Sequence, residues 1–202
     1  MSAVARLDRN IEPRALGRDV QKQPLVVDAE DIGVEEVLNI AVERLNQVAI
    51  FTPLAGEEIE RLANSSNLRV YAPGEAIVRL GREGNSMFVI IRGAVRVEIP
   101  SGAASTVVNE LRENDFFGEM SLLTGEPRSA NVIAQEETEV LQIKKEALKP
   151  IFEDNPTLVE SISEIIAERK ELLHSHSSQS DGSAQKDPSG VLSSIKRFFG
   201  LR

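Results

Sequence analysis

Between Phe116 and Val132 the chain reads Phe-Phe-Gly-Glu-Met-Ser-Leu-Leu-Thr-Gly-Glu-Pro-Arg-Ser-Ala-Asn-Val. This stretch gathers the residue types that hold a small anion. Gly118 permits a tight turn and a close approach of the backbone to a ligand. Residues 119 to 123 are long enough for one helical turn, and the first N–H groups of such a turn point outward and attract negative charge. Thr124-Gly125-Glu126-Pro127 reverses the chain and returns Arg128 to the side of that turn, where its planar fork of donors suits a phosphate. Ser129 adds a hydroxyl donor, and Glu119 only accepts hydrogen bonds. N–H groups, an arginine, a hydroxyl and a carboxylate acceptor together suit a phosphorylated sugar with a free hydroxyl. The competing structural reading is a Glu119–Arg128 salt bridge that merely braces the loop. Catalysis is not expected: there is no Ser/His/Asp arrangement, metal cluster or triphosphate loop, and Gly81-Arg82-Glu83-Gly84 reads as a hairpin turn. His174 and His176 sit in a polar stretch with no further ligand beside them, so they read as solvated side chains and no metal is expected.

The elements that must position this segment follow from length, composition and period. The chain has 202 residues, enough for one domain with extensions. Hydrophobic residues make up 41% and charged residues 27%, ordinary for a globular chain. Aromatics are 4%, so the core must be mostly aliphatic, and the absence of cysteine excludes a disulfide framework, a thiol nucleophile and a thiolate metal site. A net charge of -9 argues against broad contact with nucleic acid and makes any anion site a local exception. No stretch approaches the roughly 20 apolar residues that span a bilayer, and no signal-like apolar run follows the early basic residues. A cytoplasmic location is the default expectation.

Residues 1–33 show no sustained periodicity and read as a flexible leader. Residues 34–66 carry helical spacing, with Val37, Leu38, Ala41, Leu45 and Val48 on one face and a second short helix over Ala55 to Ala63. From Leu68 the period changes to two. Runs over 68–71, 76–80, 86–91, 94–99, 106–111, 131–134 and 138–143 alternate with glycine and polar turns, which predicts an antiparallel sandwich or barrel. Helical spacing returns at 145–153. Asn155-Pro156 then opens a longer helix with a stripe from Leu158 to Leu173. The barrel and its closing helices are expected over 67–173, a disordered linker over 174–190 and an amphipathic basic helix over 191–202.

The stretch Phe117–Ala130 resembles the phosphate-binding cassette of the cyclic nucleotide-binding domain family: Phe-Gly-Glu, an aliphatic residue, a small residue, Leu, a short variable turn, then Arg, a small residue and Ala. Its flanks, Tyr71-Ala72-Pro73-Gly74-Glu75, the turn 81–84 and Gly93-Ala94-Val95-Arg96-Val97, extend the likeness over roughly residues 52–173. The resemblance implies a mainly β fold, a jelly-roll-like β-barrel with N-terminal helices and two C-terminal helices. It further implies that Arg128 pairs with the cyclic phosphate and Glu119 with the ribose 2′-hydroxyl, while Gly118, Met120, Ser121, Ser129 and Ala130 complete the ligand site. Val107, Ile165, Ile166, Arg169 and Leu172 are the implied contacts to the base or the lid over it. The implied ligand is a cyclic mononucleotide. In the family a Thr after the arginine tends to favour cGMP and an Ala cAMP; Ser129 leaves both open, with cAMP preferred.

The implied role is a non-enzymatic sensor that changes conformation on binding and acts on a partner protein or membrane complex. It resembles the regulatory domains of bacterial cyclic nucleotide-gated channels. The residues after Leu173 are mostly polar, and a winged-helix DNA-binding module is not expected there. Val191, Leu192, Ile195, Phe198 and Phe199 fall on one helical face beside Lys196, Arg197 and Arg202. That pattern predicts docking of Val191–Arg202 on an anionic bilayer or a partner groove, ahead of packing on its own domain. The alternative of a different class is a scaffold or interaction module with a vestigial nucleotide site.

Overall fold

Two antiparallel four-stranded sheets face one another in the computed structural model, which describes residues 34–101, 104–176 and 187–201. The expected leader 1–33 and the middle of the expected linker lie outside these residues, as do the side chains of Leu172, His174 and His176. In chain order the described strands are β1 (Asn67–Tyr71), β2 (Ala76–Val78), β3 (Ser86–Arg92), β4 (Val95–Ser101), β5 (Ala104–Leu111), β6 (Phe116–Phe117), β7 (Asn131–Ala134) and β8 (Thr138–Lys144). One sheet runs β1-β8-β3-β6 and the other β2-β7-β4-β5. Tyr71, Val78, Phe88, Ile90, Val95, Val97, Leu111, Phe117, Val132 and Val140 fill the space between them. The fold is therefore a jelly-roll type β-sandwich with helices on both sides, as the sequence implies.

β3 explains how the helices attach. Its side chains alternate: Phe88 and Ile90 enter the sandwich, whereas Met87, Val89 and Ile91 face a second core made with the helices. A strand covered on both faces reads as an unbroken apolar run, which is the sequence Met87–Ile91. The helical layer comprises α1 (Val34–Gln47), a 3-10 turn (Ala49–Phe51), α2 (Gly56–Asn64), α4 (Lys145–Asp154) and α5 (Pro156–His176), with α3 (Glu119–Thr124) inserted after β6. Leu45, Phe51, Ile59, Leu62, Leu148, Phe152, Val159, Ile162 and Ile166 meet there. Each large side chain so buried contributes roughly 1.5–3 kcal/mol. Asn155 caps α5, its side-chain oxygen accepting from the Leu158 N–H at 3.3 Å.

Several boundaries differ from the sequence expectation for local reasons. β2 stops at Val78 rather than Leu80; the Leu80 N–H donates to the Asn131 side chain at 2.9 Å instead of continuing the ladder. Phe116–Phe117 forms a short strand on β3, a pairing too brief to show as a period.

The C-terminal segment is a correction. The helix α6 covers Pro188–Phe199 and so starts three residues before the expected 191, because Asp187 accepts from the Gly190 N–H at 2.8 Å and Pro188 takes the first helical position. At the other end of the expected linker, α5 continues through His176. The apolar face of α6 does not await a bilayer or a partner groove: Val191, Ile195 and Phe199 are buried in the helical core. The helix lies along α5 and against α3. The Phe199 ring is 4.9 Å from that of Phe152, and Lys145 Nζ donates to the Phe198 carbonyl at 2.6 Å while sitting 3.4 Å from the centroid of its ring. A stripe of this size is satisfied equally well by an uncovered flank of its own domain, and sequence period does not distinguish the two.

Candidate functional site

The expected anion-binding segment is built from β6, α3 and the loop to β7. Phe117 pairs with Phe88 of β3, and their rings stack with centroids 5.2 Å apart, which anchors the segment on the sheet. Gly118 follows at φ +81°, a left-handed conformation that turns the chain into α3. Space also requires a glycine here, since a Cβ would stand 2.7 Å from Arg128 Nη1. The N–H groups of Glu119, Met120 and Ser121 open α3 and have no carbonyl four residues back within the helix. After Gly125 the chain returns, and Arg128 exchanges backbone hydrogen bonds with the turn between β2 and β3: its N–H donates to the Arg82 carbonyl and its carbonyl accepts from the Gly81 N–H, both at 2.8 Å.

Arg128 is 7% exposed. Its Nη1 donates to the Gly118 carbonyl at 2.6 Å and its Nη2 to the Ser86 carbonyl at 2.7 Å and hydroxyl at 3.4 Å. Burial pushes the guanidinium pKa below its usual value, and the Glu119 carboxylate acts in the opposite sense. An arginine nevertheless stays charged. Its neighbours are thus neutral carbonyls, and no described carboxylate lies within salt-bridge distance of it. The loop-bracing Glu119–Arg128 pair is not formed. Glu119, itself buried, pairs instead with Arg169 of α5 at 3.3 Å. Arg169 also donates to the Phe116 carbonyl at 3.1 Å and rests 4.0 Å from the centroid of the Phe116 ring. The next residue, Lys170, reaches Glu126 at 3.1 Å. Two consecutive cations of α5 therefore hold both ends of the α3 segment.

Arg128, Glu119 and Arg169 border a cavity of about 220 Å³. Of the residues singled out in the sequence, Gly118, Glu119, Met120, Ser121, Arg128, Ser129, Ala130 and Arg169 all line it. Others stand elsewhere. Val107 is 48% exposed on β5. The β4–β5 ladder pairs Val97 with Asn109 but Glu98 with Val107, so Val108 is the extra residue of a bulge and it is Val108 that lines the cavity. Ile166 is buried in the helical core and Ile165 packs against that core; neither borders the cavity. The side chain of Leu172 lies outside the described residues. Sequence reasoning passed over the apolar wall of Val78, Val97, Leu111, Phe117 and Val132, and the polar Asn109. The alternation Val95–Val97 signalled an inward face without saying that part of it stays uncovered. Ser86 was also missed, because its contribution to Arg128 is chiefly a backbone carbonyl. Among the described residues no group of three or more His, Cys, Asp or Glu is placed to hold a metal ion, and no helix is long and apolar enough to cross a membrane.

Residues 68–155 match the family described as the cyclic nucleotide-binding domain. A cGMP-dependent protein kinase, egl-4, of Caenorhabditis briggsae is 35% identical over 130 residues, covering 63% of this chain and 17% of the kinase. A cAMP-dependent protein kinase regulatory subunit of Mycosarcoma maydis is 33% identical over 100 residues, 50% of this chain and 19% of the subunit. A cyclic nucleotide-gated potassium channel of Rhizobium etli is 31% identical over 123 residues, 61% of this chain and 33% of the channel. The chain thus matches from 17% to 33% of the length of these relatives. Among solved structures, the regulatory domain of Toxoplasma gondii PKA in complex with cAMP superposes with a TM-score of 0.58 at 22% identity, covering 67% of this chain and 50% of that one. A cyclic nucleotide-binding domain from Methylobacillus flagellatus gives 0.58 at 19% identity, covering 76% and 89%. At these identities the two structures establish the shared fold.

Proposed function

From the premise that this chain carries a cyclic nucleotide-binding domain, we propose that it is a sensor of a cyclic mononucleotide, cAMP ahead of cGMP, and that it acts without catalysis. The observation that carries this reading is the buried Arg128 guanidinium at the edge of an otherwise largely apolar cavity, surrounded by carbonyls and not by a carboxylate. A buried cation in such surroundings favours an anionic ligand strongly, because the low local dielectric strengthens the attraction. The phosphate of the ligand faces Arg128 and the opening N–H groups of α3, with Ser121, Ser129 and Ala130 alongside. Glu119 accepts from the ribose 2′-hydroxyl while sharing its charge with Arg169.

The base lies against the apolar wall. Val78, Val97, Val108 and Val132 offer it no hydrogen bonds from their side chains, so the purine with fewer polar edge groups loses less on leaving water. That purine is adenine. Ligand contact with α3 is transmitted to α5 through Arg169–Glu119 and Lys170–Glu126, and it shifts the balance between arrangements of these helices. An attached or partner protein reads that shift. Titration calorimetry of the full chain against cAMP and cGMP tests the assignment. Binding of both with cAMP tighter is expected, and tighter binding of cGMP overturns the choice of base.

A further inference from the structure

We propose that Gly84 is a positioning residue for Arg128: its missing side chain is the slot in which the guanidinium lies. The inference rests on the reading of Arg128 as the phosphate-binding group and concerns what aims it. Gly84 stands in the turn between β2 and β3, and its backbone does not lie in the left-handed region that singles out other glycines of this chain. Its φ is therefore not what calls for glycine at this position. The demand comes from across the turn. A Cβ on Gly84 would stand 2.2 Å from Arg128 Nε, 2.3 Å from Cζ and 2.4 Å from Nη2, well inside van der Waals contact. The guanidinium therefore lies flat on the Gly84 backbone.

The rest of the turn holds the same arginine by other means. Gly81 and Arg82 bond its main chain, and Ser86 accepts from Nη2 at 2.7 Å. Residues 81–86 thus form a mould that fixes Arg128 at both ends of its side chain, and Gly84 is its floor. The atoms a methyl group would meet are the far end of a flexible side chain. An alanine at 84 is accommodated by swinging the guanidinium away, with the strands left in place. What is lost is the aim of the fork, on which bidentate recognition of a phosphate depends.

The test is a double-mutant cycle on the full chain, with cAMP as titrant. Gly84→Ala is expected to weaken cAMP binding at least tenfold while the melting temperature stays within a few degrees of the parent. In an Arg128→Lys background, where no fork remains to be aimed, the same change is expected to alter affinity less than twofold. Gly84→Ala that binds within twofold of the parent overturns the inference, as does an equal loss in both backgrounds. NMR of the guanidinium N–H signals of Arg128 in the protein alone gives a readout independent of binding. Slowed exchange in the parent and its loss in Gly84→Ala support the slot; unchanged signals overturn it. A parent that binds neither cAMP nor cGMP overturns the functional reading, and the NMR comparison then decides the role of Gly84 by itself.

Discussion

Ile195→Ala in α6 tests whether the C-terminal helix is part of the body of the protein. Ile195 is fully buried, on the same face as Val191 and Phe199, among residues of the helical core. Removing three carbons from such a site sacrifices their transfer free energy and leaves a cavity, because the neighbouring helices relax only partly. Substitutions of this kind destabilise by roughly 2–5 kcal/mol. For a chain of this size each 1 kcal/mol moves the melting temperature by roughly 2–4 °C, so a loss near 3 kcal/mol lowers it by roughly 6–12 °C. Thermal unfolding followed by circular dichroism measures this directly. Arg197→Ala on the exposed face of the same helix is the control and is expected to stay within about 0.5 kcal/mol of the parent. Ile195→Ala melting with the parent would refute the reasoning, since it would mean that α6 spends its time off the domain and that its apolar face is free for another surface.

The remaining predictions concern the site. Arg169→Ala removes the ion pair to Glu119 and the cap on Phe116, leaving a buried carboxylate without its partner; because Arg169 is partly exposed, a destabilisation of about 1–2 kcal/mol is expected in urea unfolding, and an unchanged midpoint contradicts the latch. The bulge in β5 predicts opposite outcomes for neighbours: Val107→Asp leaves cAMP affinity unchanged, whereas Val108→Asp puts a charge on the cavity wall and weakens it at least tenfold, and a reversed pair of results contradicts the placement.

The parts of this molecule that were legible in the sequence are those in which neighbours along the chain do the work. The segment from Phe117 to Ala130 forms its turn, its short helix and its return within one stretch, so its two ends, Phe117 to Ser121 and Arg128 to Ala130, arrive at one cavity together. The run Met87–Ile91 is unbroken because β3 is covered on both faces, which the period-two reading of 86–91 does not register. The rest depends on contacts distant in sequence. Arg169 is 50 residues beyond Glu119 (169 − 119), and nothing local marks it as that carboxylate's partner. The resemblance implies Val107, whereas the extra residue in β5 gives the cavity Val108 instead, and nothing local in the sequence marks that bulge. The tail was misassigned for a related reason. An amphipathic period states that an apolar face must be covered; it does not state by what.

The central claim is that Arg128 holds the phosphate of a cyclic nucleotide. Isothermal titration of the full chain with cAMP, run for the parent and for Arg128→Ala, tests it most directly. Two charge-assisted hydrogen bonds at about 1.5–3 kcal/mol each place the loss at about 3 kcal/mol or more, which is over a hundredfold in affinity. Saturable heat in the parent that disappears in Arg128→Ala is the predicted result. A parent that shows no heat with either cAMP or cGMP, or a variant that binds as the parent does, contradicts the account.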